Sequence, residues 1–159
     1  MKEGSLKLIL KSLKCLIEKI YLSFNDNLVY YESVTQCKSR FYYDTVVCPK
    51  YENKECKVTF IDINNLKQIN DTYGHQQGTA HIKNIANQLK ALRNTYEVCR
   101  VGGDEFILIC DKDFMEESLK HIQGISYGLV YKRKQDTFYE TIKKADKKMY
   151  EMKRTMKES

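Results

Sequence analysis

Three acidic side chains carry the chemistry this sequence is equipped to do. Asp62 follows the apolar, β-branched run Cys56-Lys-Val-Thr-Phe-Ile61, while Asp104 and Glu105 stand in Gly102-Gly103-Asp104-Glu105 between two further apolar runs. A carboxylate at the C-terminal end of a strand and two more in a hairpin bend converge at one sheet edge if hairpin and strand pair side by side. Acids so placed hold one or two divalent ions that bridge phosphate oxygens in an in-line displacement. Gly102 and Gly103 suit the same task, because a backbone without Cβ lets a bulky ligand approach closely. Alone, the tetrapeptide is ordinary turn chemistry. His75, His81 and His121 have no metal-ligand spacing and are expected in structural or surface roles.

The elements that must position these acids read as alternating helices and strands. Leu6 to Phe24 has apolar residues at helical spacing with lysines on the other face, which predicts an N-terminal helix within residues 1–25 that packs on the domain or connects to a partner. Residues 25–55 are tyrosine-rich and give no clear period. After the strand that begins at Cys56, helical spacing returns over Asn65–Tyr73, breaks at Gly74-His75-Gln-Gln-Gly78, and resumes from Thr79 to Leu92. Glu97–Val101 and Glu105–Cys110 flank the glycines as a β-hairpin. From Phe106 the second run is apolar throughout, as in a strand buried on both faces. A short helix (Phe114–Ile122), a strand (Ile125–Tyr131) and a long final helix with Phe138, Ile142, Ala145, Met149 and Met152 on one stripe complete an α/β (α+β) pattern of sheet and helices.

The 159 residues allow one domain with a real core. An apolar fraction of 42% and a charged fraction of 30% exclude a disordered polyelectrolyte, and a single proline with seven glycines excludes a collagen-like chain. The net charge of +6 is compatible with nucleic acid, a membrane surface or a small polyanion such as a nucleoside triphosphate. Residues 132–159 hold ten basic and five acidic side chains, so +5 of it lies there. No aromatic–basic or helix-turn-helix pattern supports nucleic acid. The six cysteines (15, 37, 48, 56, 99 and 110) form no C-x-x-C pair and read as buried free thiols. Lysines interrupt the N-terminal apolar stretch, so neither membrane insertion nor secretion is expected, and the chain reads as cytoplasmic.

Asp62-Ile-Asn-Asn-Leu-Lys-Gln-Ile-Asn-Asp-Thr-Tyr-Gly-His-Gln-Gln-Gly78 followed by Arg100-Val-Gly-Gly-Asp-Glu-Phe106 resembles the GGDEF domain of diguanylate cyclases. Ser126-Tyr127-Gly128 is similar to the family's late Ser-x-Gly strand, and Ala145-Asp146-Lys-Lys-Met-Tyr150-Glu-Met-Lys153 to its final helix. Glu32-Ser-Val-Thr35-Gln-Cys-Lys-Ser-Arg40 echoes its opening motif faintly. The resemblance implies a palm-like nucleotidyl-cyclase fold over residues 26–159, with a mostly antiparallel central sheet flanked by helices. It implies a homodimer in which each protomer holds one nucleoside triphosphate, attacks the other's α-phosphate with a ribose 3′-hydroxyl and releases pyrophosphate. Cyclic di-GMP is then the expected product.

Position by position, the resemblance implies that Asp62, Asp104 and the carbonyl of Ile63 bind Mg²⁺ or Mn²⁺. It makes Glu105 a further metal-binding or proton-accepting acid, and Gly102 and Gly103 the glycines that admit the nucleotide. Lys67 and Lys153 match triphosphate contacts, and Lys157 stands where the family usually has an arginine. Asn70 matches the asparagine that reads the guanine edge.

The second base reader of the family is an acid, and here that position is Thr79. A carboxylate accepts both the guanine N1–H and amino hydrogens, whereas a hydroxyl donates or accepts and discriminates less. ATP therefore joins GTP as an expected substrate. Arg93-Asn-Thr-Tyr96 keeps the arginine of the family's product-inhibition motif and lacks its acid, so feedback there is expected to be weak or absent. The sequence leaves open a module that binds GTP or a partner for regulation without turning it over.

Overall fold

The computed structural model describes Leu13, Leu16 and residues 29–158. The expected N-terminal helix otherwise lies outside the described residues.

The segment that gives no period in the sequence is ordered by side-chain caps. Glu32 accepts from the amides of Val34 and Thr35 and from the Thr35 hydroxyl, closing a turn with Gln36 at φ 57°. The chain then runs beside a strand edge, with Lys38 N–H donating to Val98 O and Arg100 N–H to Lys38 O. Ser39 caps helix α1, which begins in α geometry (Arg40–Tyr42), widens to a π-helical stretch (Tyr43–Val47) and returns to α geometry (Cys48–Tyr51). The fully buried ammonium of Lys132 donates to the carbonyls of Glu52, Lys54 and Arg133 just beyond it. A buried charge needs that saturation with acceptors, and the carboxyl end of a helix is where a cation is favoured.

Strand β1 spans Cys56–Ile63, followed by α2 (Leu66–Tyr73), α3 (His75–Ala91), β2 (Thr95–Arg100), β3 (Glu105–Cys110), α4 (Glu117–Lys120), β4 (Ile125–Lys132) and α5 (Phe138–Glu158). The four strands form one antiparallel sheet in the order β2-β3-β1-β4. This is the α+β architecture expected from the sequence, with the two most apolar strands in the centre.

Period-two alternation divides the core between the two faces. Phe106, Leu108 and Cys110 of β3 join Ile61 and Ile63 of β1 under Ile82, Ile85 and Leu89 of α3. Ile107, Ile109 and Val58 lie on the other face with Tyr43 and Val47 of α1 and Phe138 of α5. The long helix α5 crosses β4 so closely at Gly128 that a Cβ there would collide with the backbone of Ala145 and Met149. Its predicted stripe is observed, with Phe138, Ala145 and Met149 buried.

Three expectations need correction. The α2–α3 break is confined to Gly74 (φ 85°), and α3 starts at His75 rather than Thr79, so Gly78 lies inside the helix. The helix expected over Phe114–Ile122 is a single turn, Glu117–Lys120, between buried Phe114 and Ile122. Tyr73 falls on the apolar spacing of α2 yet is 70% exposed, and α2 buries no residue fully.

Candidate active site

Register brings the acids together. In the β1–β3 ladder Asp62 stands opposite Glu105, and in the β1–β4 ladder opposite Ser126. The Ile63 amide donates to the Asp104 carbonyl at 2.9 Å, which ties the end of β1 to the hairpin bend. The acids therefore meet at one end of two central strands rather than at a sheet edge.

Two like charges directly opposite across strands are unfavourable, and the consequence is visible at Glu105. Its carboxyl is pushed above the usual carboxylate range, first by burial and then by the charges of Asp104, Asp62 and Asp146. Asp62 is only 8% exposed, and its Oδ1 accepts from the Lys153 ammonium of α5 at 2.5 Å. Lys153 was expected at a triphosphate; here its partner is the acid.

The glycines divide the expected role. A Cβ on Gly102 would strike Glu105 Oε2, so that glycine makes room for the acid itself. Gly103 faces open space and lines a cavity of about 460 Å³. A side chain also holds the bend: Arg100 donates from one guanidinium nitrogen to Gly103 O at 2.7 Å and pairs through the other with Glu32 at 2.9 Å. Burial pushes the Glu32 carboxyl up, but hydrogen bonds from Val34, Thr35 and Arg100 outweigh it and hold it at about 2. The faint opening motif thus braces the hairpin, a role only Arg100 and Glu32 in combination could have signalled.

Between this bend and the α2–α3 corner lies the cavity, lined by Lys67, Asn70, Asp71, His75, Thr79 and Asp104, among others. Lys67, Asn70 and Asp71 share a face of α2 through i, i+3 and i+4 spacing, as His75 and Thr79 do on α3. Gly78 sits so close to Asn70 that a Cβ would strike its Oδ1, which seats the amide against α3. Of the predicted residues, Lys67, Asn70, Thr79, Gly103 and Asp104 line the cavity, whereas Asp62, Ile63, Gly102 and Glu105 do not; Ile63 is joined to the lining residue Asp104 by its amide, and Asp62 faces Glu105 in the ladder beside it. Asp71 and His75 line it too and were not anticipated. Lys157 belongs to α5, but its side chain lies outside the described residues.

Among the described residues no three His, Cys, Asp or Glu side chains form a ready-made metal cage. The side chains nonetheless suit a hard divalent ion, because Asp62, Asp104 and Glu105 offer only oxygen donors, and burial together with the neighbouring acids raises the Glu105 carboxyl. Tyr96, at the acid position of the inhibition motif, is 54% exposed and donates to Asp111. No helix among the described residues is long and apolar enough to cross a membrane.

Residues 30–124 match the family model described as diguanylate cyclase, GGDEF domain. The probable diguanylate cyclase DgcJ of Escherichia coli K12 is 29% identical over 75% of this chain and 29% of its own length. The biofilm architecture maintenance protein MbaA of Vibrio cholerae is 31% identical over 51% of this chain and 12% of its own. The chain thus spans less than a third of either relative. The coiled coil and GGDEF domain of DgcB from Caulobacter crescentus, solved with c-di-GMP, superimposes with TM-score 0.77 at 20% identity, covering 95% of each chain. Diguanylate cyclase SiaD of Pseudomonas aeruginosa, solved with its activator SiaC, gives 0.70 at 19% identity over 96% of this chain and 68% of that one.

Proposed function

The chain belongs to the GGDEF family of diguanylate cyclases, and on that premise we propose that it condenses two purine nucleoside triphosphates into a cyclic dinucleotide. The observation that carries the reading is the juxtaposition of the Asp62–Glu105 strand pair with the cavity that Asn70, Thr79, Lys67, Gly103 and Asp104 line. A nucleotide whose base lies between α2 and α3 has its phosphates over the hairpin bend.

Asn70 reads the base edge, and Thr79 beside it offers a hydroxyl where a carboxylate would select guanine more strictly. GTP is therefore the preferred substrate, with ATP accepted. Lys67, exposed at the cavity mouth, and Lys153 contact the triphosphate, with Lys157 further along α5. Asp62, Asp104 and the Ile63 carbonyl, with Glu105 beside them, would hold Mg²⁺ or Mn²⁺, which supplies neutralisation of phosphate charge and polarisation of the phosphorus centre. In this reading Glu105 takes the proton of the attacking 3′-hydroxyl.

Each step forms one bond from a ribose 3′-oxygen to an α-phosphorus and breaks one bond to pyrophosphate; two steps close the ring. One cavity holds one nucleotide, so the second comes from a second copy of the chain. The likeness to a DgcB structure that includes a coiled coil supports a dimer assembled through the helix expected within residues 1–25.

The test is incubation with Mg²⁺ or Mn²⁺ and GTP, ATP or both, with products resolved by mass spectrometry. Cyclic dinucleotide is expected from the wild type. Asp104→Ala should reduce it about a hundred- to a thousandfold with an unchanged circular dichroism spectrum. Measurable triphosphate binding without any dinucleotide would replace this reading with that of a regulatory binding module.

A further inference from the structure

The Lys153 ammonium occupies the acid that the proposed function gives to a divalent cation. Its Nζ lies 2.5 Å from Asp62 Oδ1, with the lysine side chain 28% and the aspartate side chain 11% exposed. Glu105, which stands opposite Asp62 across the sheet, feels the negative charges of Asp104, Asp62 and Asp146, with Arg40 opposing them.

The helix that carries Lys153 is anchored on both sides of it. Met152 Sδ accepts from the Tyr127 amide at 3.3 Å, and Met156 Sδ lies 3.7 Å from Asn64 Nδ2 and from Ser126 Oγ. Gly128 holds the preceding turns of α5 against β4. The backbone is thereby fixed, and the four-carbon lysine stem is the part free to move. Lys67, by contrast, is exposed and lines the cavity with no acid engaging it among the described residues.

We infer that Lys153 is a built-in counter-ion that competes with the divalent cation for Asp62, and that its displacement delivers the ammonium to the triphosphate. In the nucleotide-free protein each group is engaged by the other, through Lys153 Nζ and Asp62 Oδ1. Removing the ammonium from Asp62 frees both at once, so metal and triphosphate each favour the other's binding, and the coupling is reciprocal. This rests on the proposed function for the identity of the two ligands. The competition itself concerns only Asp62, Lys153 and a cation.

Mn²⁺ titrated into the nucleotide-free full chain, with free ion followed by electron paramagnetic resonance, tests the competition directly. Lys153→Met should bind Mn²⁺ roughly three- to tenfold more tightly than wild type, the scale of one partly screened ion pair. Lys153→Arg, which keeps the charge, should stay near wild type. In the unmutated protein, reductive methylation of Lys153 followed by mass spectrometry should accelerate when Mn²⁺ is added, which keeps the test independent of whether a variant folds. Equal or weaker Mn²⁺ binding by Lys153→Met, no binding by either protein, or an unchanged methylation rate overturns the inference. Tighter binding in Lys153→Met without any dinucleotide from wild type leaves the counter-ion standing and removes the catalytic reading. Dinucleotide synthesis with unchanged Mn²⁺ affinity does the reverse.

Discussion

Thr79 and Glu32 show how much a single side chain decides here. Thr79 lines the cavity beside Asn70 with a hydroxyl that accepts or donates. Thr79→Asp should move any mixed product towards the all-guanine dinucleotide by about tenfold or more, the scale set by supplying or withholding one paired acceptor. Competition assays with equal GTP and ATP, read by mass spectrometry, check this; an unchanged ratio would assign selectivity elsewhere in the cavity. Glu32 acts through Arg100, whose other guanidinium nitrogen holds the Gly103 carbonyl. Because the Glu32 carboxyl is held at about 2 in the folded state, its contribution is fully present above the ordinary glutamate range and is lost as pH falls towards that value. Glu32→Gln should cost about 1–3 kcal/mol at pH 7, and most of that difference should vanish between about pH 5 and pH 2. Urea denaturation of both proteins across that range measures it.

At the level of elements, α5 links stability to the site. It lies on β4 through a contact that only glycine permits at position 128, and about one turn beyond Met149 of that contact it presents Lys153 to Asp62. Gly128→Ala should force the helix off the strand at a cost of about 1–3 kcal/mol, typical of overpacking a filled interface. The same displacement should lower turnover more than the loss of folded protein explains. Thermal melts combined with activity per folded molecule separate the two effects. The hairpin is the complementary element: it is fastened on one side by Ile63 to Asp104 O and on the other by Arg100 to Gly103 O. Its acids are therefore placed by main-chain register, and the bend needs no side chain of its own to hold shape.

For the whole molecule, a proposed site that holds one nucleotide per chain makes the proposed reaction second order in protein. Specific activity should rise with concentration and saturate once the dimer is populated. Deleting residues 1–24 should shift that midpoint to higher concentration, with sedimentation velocity reporting the matching loss of dimer. Concentration-independent activity would place both nucleotides on one chain. The charge distribution bears on the same scale: the basic excess of residues 132–159 lies largely on α5, whose Lys153 pairs with Asp62, so a divalent ion would offset the acids and the helix lysines the triphosphate.

Much of this was legible along the chain, because strand and helix periods and the acid-bearing motifs are local patterns. Asp62 after an apolar run, Gly-Gly-Asp-Glu in a hairpin, and Asn70 with Thr79 across a helix break are each short-range features that linear spacing preserves. The α3 start was misplaced because Gly78 reads as a breaker, whereas its real role is to admit Asn70 from another helix, a contact without any sequence period. Residues 29–39 stayed opaque for the same reason: Glu32 and Lys38 take their partners from β2, some sixty residues later. What the sequence determined by itself was which groups the site contains and on which elements they sit. Only the tertiary structure decided which charges meet, because the Asp62–Glu105 register, the Glu32–Arg100 brace and the Lys153–Asp62 pair join residues that no local rule brings together. Their effects depend on the low-dielectric surroundings that packing creates.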